Sequence, residues 1–220
     1  MKGIFRNILL TIFIAGLAGC VSTRNIPLDK VALESSTPES IVNTHREMPD
    51  FMAMTAGKAA FGLIGAMAMI SSGNSIVEEN GVKDPSEYII ASLEKEISEK
   101  YDLAELDSRG HMINTRNPSE IASAYPESDL IIDVETTGWG FTHFSTDWNN
   151  YRVLYSAKLR LIDTKKETIL AEGYCSRVPD KDDSAPSYED LLADKAARLK
   201  SELHEAANYC IEEFRHIVLI

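Results

Sequence analysis

The chain has 220 residues, with Lys+Arg 22 against Asp+Glu 34, a formal net charge of −12 with His neutral. That acidity repels phosphate backbones, so a nucleic-acid partner is excluded as an expectation. A hydrophobic content of 44% is ordinary for a globular chain, and the length suits one domain with an N-terminal extension, or two small ones.

The first element is a leader. Lys2 and Arg6 precede an apolar run from Ile8 to Ala18, too short to span a bilayer but suited to a secretory h-region. It ends in Leu17-Ala18-Gly19-Cys20, which resembles the lipobox of bacterial lipoproteins. The resemblance implies a signal peptide over residues 1–19, cleavage before Cys20, and acylation of that cysteine's thiol and freed amine. Several acyl chains together give stable anchoring. Residues 1–19 hold Lys2 and Arg6 and no acid, so cleavage would leave a net charge of −14. Val21 and Ser22 follow the cysteine, without the Asp that retains enteric lipoproteins in the inner membrane, so the expected location is the outer membrane, facing the periplasm.

Residues 20–50 are polar, contain Ser, Thr and Pro, and show no sustained period, so they are expected to be a lipidated flexible tether. Residues 51–82 differ: Ala59 to Ile70 is unbroken apolar sequence, rich in Ala and Met, with Gly57, Gly62 and Gly65 nearby. Three readings of this helical segment compete: a helix buried on the core, a subunit contact through Gly57, Phe61, Gly62 and Gly65, or a membrane-associated segment. SSGN at 71–74 and ENG at 79–81 are expected breakers.

A globular domain is expected over 83–220. Asp84, Pro85 and Glu87 form a helix start, and Ile89, Ile90, Leu93, Ile97 and Tyr101 a stripe at helical spacing, with Glu94, Lys95, Glu96, Glu99 and Lys100 as a solvated face. Residues 111–115 suggest a short strand, and Asn117-Pro118 a short helix. Leu130 to Thr136 reads as a core strand. Residues 151–163 alternate, with Val153, Tyr155, Ala157, Leu159 and Leu161 inward and Arg152, Ser156, Lys158 and Arg160 outward, as in a half-buried antiparallel strand. A turn at 163–167 leads to a return strand at 168–175, a polar linker, and one long helix from Tyr188 to Val218. With Cys20 set aside, Cys175 and Cys210 form an even pair in an oxidising compartment. Cys210 lies on the apolar helix stripe and Cys175 ends a strand, so a disulfide is expected, against the alternative of two separate buried thiols.

This order predicts an α+β two-layer domain, a sheet of about four mostly antiparallel strands packed by helices including a long C-terminal one. Its element order and location resemble small α/β envelope domains such as the N-terminal domain of TolB and the curli-secretion lipoprotein. Its Gly/Ala-rich helix, DP-started helix and late cysteine pair resemble uncharacterised proteobacterial envelope lipoproteins.

Chemistry-bearing patterns are sparse. His45, His111, His143, His204 and His216 have no metal-ligand spacing, so neither metal nor cofactor is expected. Trp139, Phe141, Phe144 and Trp148 cluster around a turn; they either form a protruding hairpin that docks a partner or cover the open end of the sheet. Asp133 and Glu135 share a strand face and are the candidate pair for a hydrolase. The preferred expectation is a non-catalytic binding or scaffold subunit of an envelope assembly, with a protein partner or second copy. The alternatives are an envelope hydrolase or a lipid or small-ligand carrier.

Overall fold

The computed structural model describes residues 24–55, 57, 62–108, 110–181 and 183–219. Residues 1–19, expected to be a signal peptide, Cys20 and Phe61 lie outside the described residues. The chain order is α1 (Lys30–Ser36), β1 (Ser40–Asn43), β2 (His45–Arg46), β3 (Met52–Met54), α2 (Gly62–Asn80), α3 (Pro85–Tyr101), β4 (Ala104–Leu106), β5 (Met112–Ile113), α4 (Pro118–Ala124), β6 (Leu130–Phe144), β7 (Asp147–Asp163), β8 (Thr168–Arg177) and α5 (Tyr188–Val218).

The architecture is α+β. A six-stranded mixed sheet has the order β4-β1-β6-β7-β8, with β3 also pairing to β6, and a small β2-β5 pair lies apart. The long β6-β7-β8 meander is antiparallel, whereas β1 pairs parallel to both β4 and β6, and β3 parallel to β6. One face of the sheet carries the main core. Leu130, Ile132, Val134, Trp139 and Phe141 of β6, with Tyr155, Leu159 and Leu161 of β7, meet Ile89, Leu93 and Ile97 of α3 and Leu199, Leu203 and Phe214 of α5. Each fully buried Ile, Leu or Phe contributes about 1.5–3 kcal/mol. On the other face Val42, Ile131 and Ile162 pack with Ile113, Ile121 and Tyr125 in a smaller cluster.

Local chemistry sets the helix starts. Asp84 accepts a hydrogen bond from the Ser86 amide with Pro85 at the first helical position, and Asn117 does the same for Ser119 ahead of Pro118. Ser187 and Asp190 form a reciprocal capping box at the start of α5.

Four expectations are corrected. Residues from Asn25 onward are not a tether: Ile26 bridges to Glu172, Leu33 is buried in α1, and β1 is inserted into the sheet with Ile41 and Val42 buried. Strands of two to four residues are too short to show a period, so their polar flanks dominate the sequence. The SSGN stretch does not break α2, because Gly73 lets the helix lie directly on β3; a Cβ there would sit 1.9 Å from the Phe51 carbonyl oxygen. The Asn74 side chain reinforces the contact by accepting from the Phe51 amide and donating to Asp50. The last helix is not continuous, since Asp194, Lys195 and Ala196 have φ of 51° to 57°, a left-handed turn inside it. Finally, two faces expected in solvent are partly buried. Glu94 of α3 accepts from Asn43, and Lys158 and Arg160 of β7 lie under other chain segments.

Candidate functional site

The Asp133/Glu135 pair sits at the centre of the second face, on alternate positions of β6. Asp133 is fully buried; it accepts from Thr44 Oγ1 at 2.7 Å, Arg46 Nε at 2.6 Å and Arg46 Nη2 at 3.0 Å, and is ion-paired with Arg160 Nη2 at 2.8 Å. Glu135 accepts from Arg160 Nη2 at 3.0 Å and from Arg116 Nε at 2.7 Å. Arg46 and Arg160 are anchored further by donating to the Thr115 and Arg116 carbonyls. Next to this lattice Lys158 pairs with Glu172 at 2.9 Å. The sequence brings the two carboxylates together as expected. The structure adds three guanidinium groups that occupy their lone pairs, an arrangement suited to fixing β2, β6, β7 and the segment before α4 against one another. Arg46 and Arg116 are distant in sequence and nothing in their local pattern marks them as partners.

A second polar network lies beneath the start of α3. The buried Asp84 accepts from Thr136 Oγ1, whose oxygen lies 3.0 Å from the Tyr155 hydroxyl. Burial raises the pKa of Asp84, against the lowering effect of its bonds from Thr136 and Ser86. Burial likewise pushes Tyr155 well up. Glu94 is raised by burial, with Glu105 adding repulsion.

The aromatic cluster divides. Trp139, Phe141 and Phe144 are buried, which corrects their reading as a protruding partner surface. Phe51 meets Trp139 and Phe141 edge-on at centroid distances of 4.8 and 5.8 Å, and Trp139 Nε1 donates to the Pro49 carbonyl. They cover the end of the sheet. Trp148, at the β6–β7 hairpin, is 65% exposed, with His143 beside it at a 6.0 Å centroid distance.

Of the glycines assigned to a subunit contact, Gly57 is exposed, Gly62 opens α2 and Gly65 is buried. Gly73, in the same helix, makes the close approach, and it makes it to β3 within the chain.

Cys175 and Cys210 form a disulfide that joins β8 to α5, with both residues buried and 35 positions apart.

A groove of about 550 Å³ lies between the β4–β5 loop and the end of α4 and is lined by Val42, Leu106, His111, Tyr125 and neighbours. A smaller one of about 260 Å³ crosses the second face at the hairpin end of the sheet, between Met52, Met54, Leu154 and Val178. Among the described residues, no group of three or more His, Cys, Asp or Glu is placed to hold a metal ion, and no helix is long and apolar enough to cross a membrane.

No protein-family model matches the chain, and no curated protein matches it. Solved structures give distant likenesses. The lipoprotein GNA1162 from Neisseria meningitidis is 17% identical, with 67% of this chain and 88% of that one covered and a TM-score of 0.28. A PelC dodecamer from Paraburkholderia phytofirmans is 7% identical, covering 90% of this chain and 94% of that one at a TM-score of 0.35. The LpoB C-terminal domain from Salmonella enterica is 8% identical, covering 70% and 96% at a TM-score of 0.23. The chain thus has distant structural similarity to a group of bacterial proteins that includes a lipoprotein.

Proposed function

We propose that this chain is a periplasm-facing lipoprotein, anchored in the outer membrane through acylated Cys20, whose folded domain is a non-catalytic binding or scaffold subunit of a cell-envelope assembly. The observation that carries the reading is the buried Cys175–Cys210 disulfide downstream of the Leu17–Cys20 lipobox. Structural disulfides persist in oxidising compartments such as the periplasm, and the leader supplies the route there. The engagement of Asp133 and Glu135 by arginines supports a binding role over a hydrolytic one, because their lone pairs are already committed.

The test is to extract the native protein in mild detergent, size it, identify what travels with it, and weigh the peptide that begins at Cys20. A triacylated peptide and a particle with defined companions are expected. An unmodified Cys20 overturns the anchor, and a lone monomer overturns the assembly role. The 550 Å³ groove beside Tyr125 favours a second reading, a small-ligand carrier. A ligand co-purifying with the native protein and lost from a Tyr125→Ala variant would decide for it.

A further inference from the structure

Several of the large apolar side chains that face solvent gather at one end of the molecule. Ile64 is 80% exposed, Met67 74%, Trp148 65%, Val178 54% and Met52 45%. Topology places them together. β6 runs toward its hairpin with β7, β3 lies parallel beside Gly140–Thr142 near that hairpin, and β8 ends there at Arg177. Gly73 of α2 rests on Phe51 and Ala53, level with Gly140, while Asp84, beyond the helix end, meets Thr136 further back along β6. So α2 runs away from the hairpin, and at 1.5 Å per residue Met67 and Ile64 stand about 9 and 14 Å from Gly73 toward the hairpin end.

The N-terminal segment leads to the same end. Ile26 bridges antiparallel to Glu172, the Asp29 amide donates to the Leu170 carbonyl, and the Tyr174 amide donates to Asn25 Oδ1. Traced backward from Asp29, the chain therefore climbs the outer edge of β8 toward Arg177. Cys20 is five Cα–Cα steps from Asn25, a reach of at most about 17 Å. The rise from Tyr174 to Val178 along a strand is about 13 Å. A lipid on Cys20 can thus reach the apolar end, toward which the chain heads when traced back from Asn25 and away from α1, which Lys166 ties to the opposite, β7–β8 turn end through the Ala32 carbonyl and Ser35 Oγ.

We propose that the hairpin end, formed by Ile64, Met67, Met52, Trp148 and Val178, is a membrane-contact face that lies on the bilayer holding Cys20. The proposal rests on the lipoprotein reading above. A short leash and an apolar face at its root give the domain one orientation instead of free tumbling on a long tether. Two of the charges near this face are paired, Arg177 with Glu205 at 3.1 Å and Lys181 with Asp147 at 2.7 Å. Trp148 suits the head-group boundary, where indole rings are enriched. With the net charge of −14 that cleavage before Cys20 leaves, the chain is repelled by anionic head groups, so the contact is apolar and is not weakened by salt.

The test uses the full-length lipidated protein in vesicles of phosphatidylethanolamine and phosphatidylglycerol, with single spin labels at Met67→Cys, Val178→Cys and, as a control at the far end, Val31→Cys. The expected result is collision with oxygen exceeding collision with a water-soluble nickel chelate at 67 and 178, and the reverse at 31. Labels at 67 and 178 that behave as the one at 31 does, on protein whose Cys20 peptide weighs as triacylated, overturn the membrane face and leave the lipoprotein reading standing. Labels shielded from both reagents and broadened by a second spin overturn it in favour of a second copy on this face. An unmodified Cys20 overturns the lipoprotein reading and the inference with it.

Discussion

Removing the carboxylate of Asp133 is the sharpest perturbation of this fold. The group has no solvent exposure, accepts three hydrogen bonds, two of them from Arg46, and is ion-paired with Arg160, both arginines being nearly buried. In Asp133→Ala, Arg160 keeps Glu135, which it shares with Arg116, and the Arg116 carbonyl, while Arg46 keeps only the Thr115 carbonyl. Breaking a buried ion pair from one side costs about 3–5 kcal/mol, because the remaining charge is left desolvated. At about 2–4 °C per kcal/mol for a chain of this size, the melting midpoint falls by roughly 6–20 °C. Urea denaturation followed by circular dichroism reads the loss directly. A companion variant, Asp133→Leu with Arg46→Met and Arg160→Met, replaces the charged trio by apolar side chains of similar size and should recover most of the stability. An Asp133→Ala protein within about 1 kcal/mol of the parent would refute this reasoning, and would return the carboxylate to the role a hydrolase needs, a group the fold can spare.

Three other outcomes are expected. Reducing Cys175–Cys210 releases a 35-residue loop and costs about 3–4 kcal/mol in the chain-entropy view, seen as a lower urea midpoint with reductant; coincident curves would contradict it. Gly73→Ala forces a methyl group into the Phe51 carbonyl and should destabilise by about 1–3 kcal/mol or more; in the same melting assay Trp139→Ala should lose about 3–5 kcal/mol and the exposed Trp148→Ala less than about 0.5 kcal/mol. Asp84→Asn keeps the acceptor for Ser86 and Thr136 but removes the buried charge. Burial raises this acid's folded pKa, so its ionised form weakens the fold above that pKa and the penalty fades as pH falls through it. The Asn variant should therefore match or exceed the parent at pH 7 and lose any advantage at about pH 3, below the unfolded value; a clear loss at pH 7 in urea titrations would show that the charge is needed.

By itself the sequence determined the elements whose signals are local and long. The Asp84–Pro85 and Asn117–Pro118 starts are the helix caps observed, because capping chemistry acts within three residues. The stripe Ile89, Leu93, Ile97 and the alternation Val153 to Leu161 face the core, since each repeats often enough to set a face. The Cys175–Cys210 pairing followed from counting and from the two stripes on which the cysteines lie. The tertiary structure alone decided the rest. β1 and β3 are four and three residues long and gain their place only by pairing with β6, so no period marks them. The polar positions of β6 and β7 look solvated until Arg46 and Arg116, far away in the chain, arrive to pair with Asp133 and Glu135. The same holds for the N-terminus. A polar stretch looks like a tether until Asn25, Ile26 and Asp29 bond to the edge of β8, because an edge strand's backbone groups select a partner by position and carry no side-chain code.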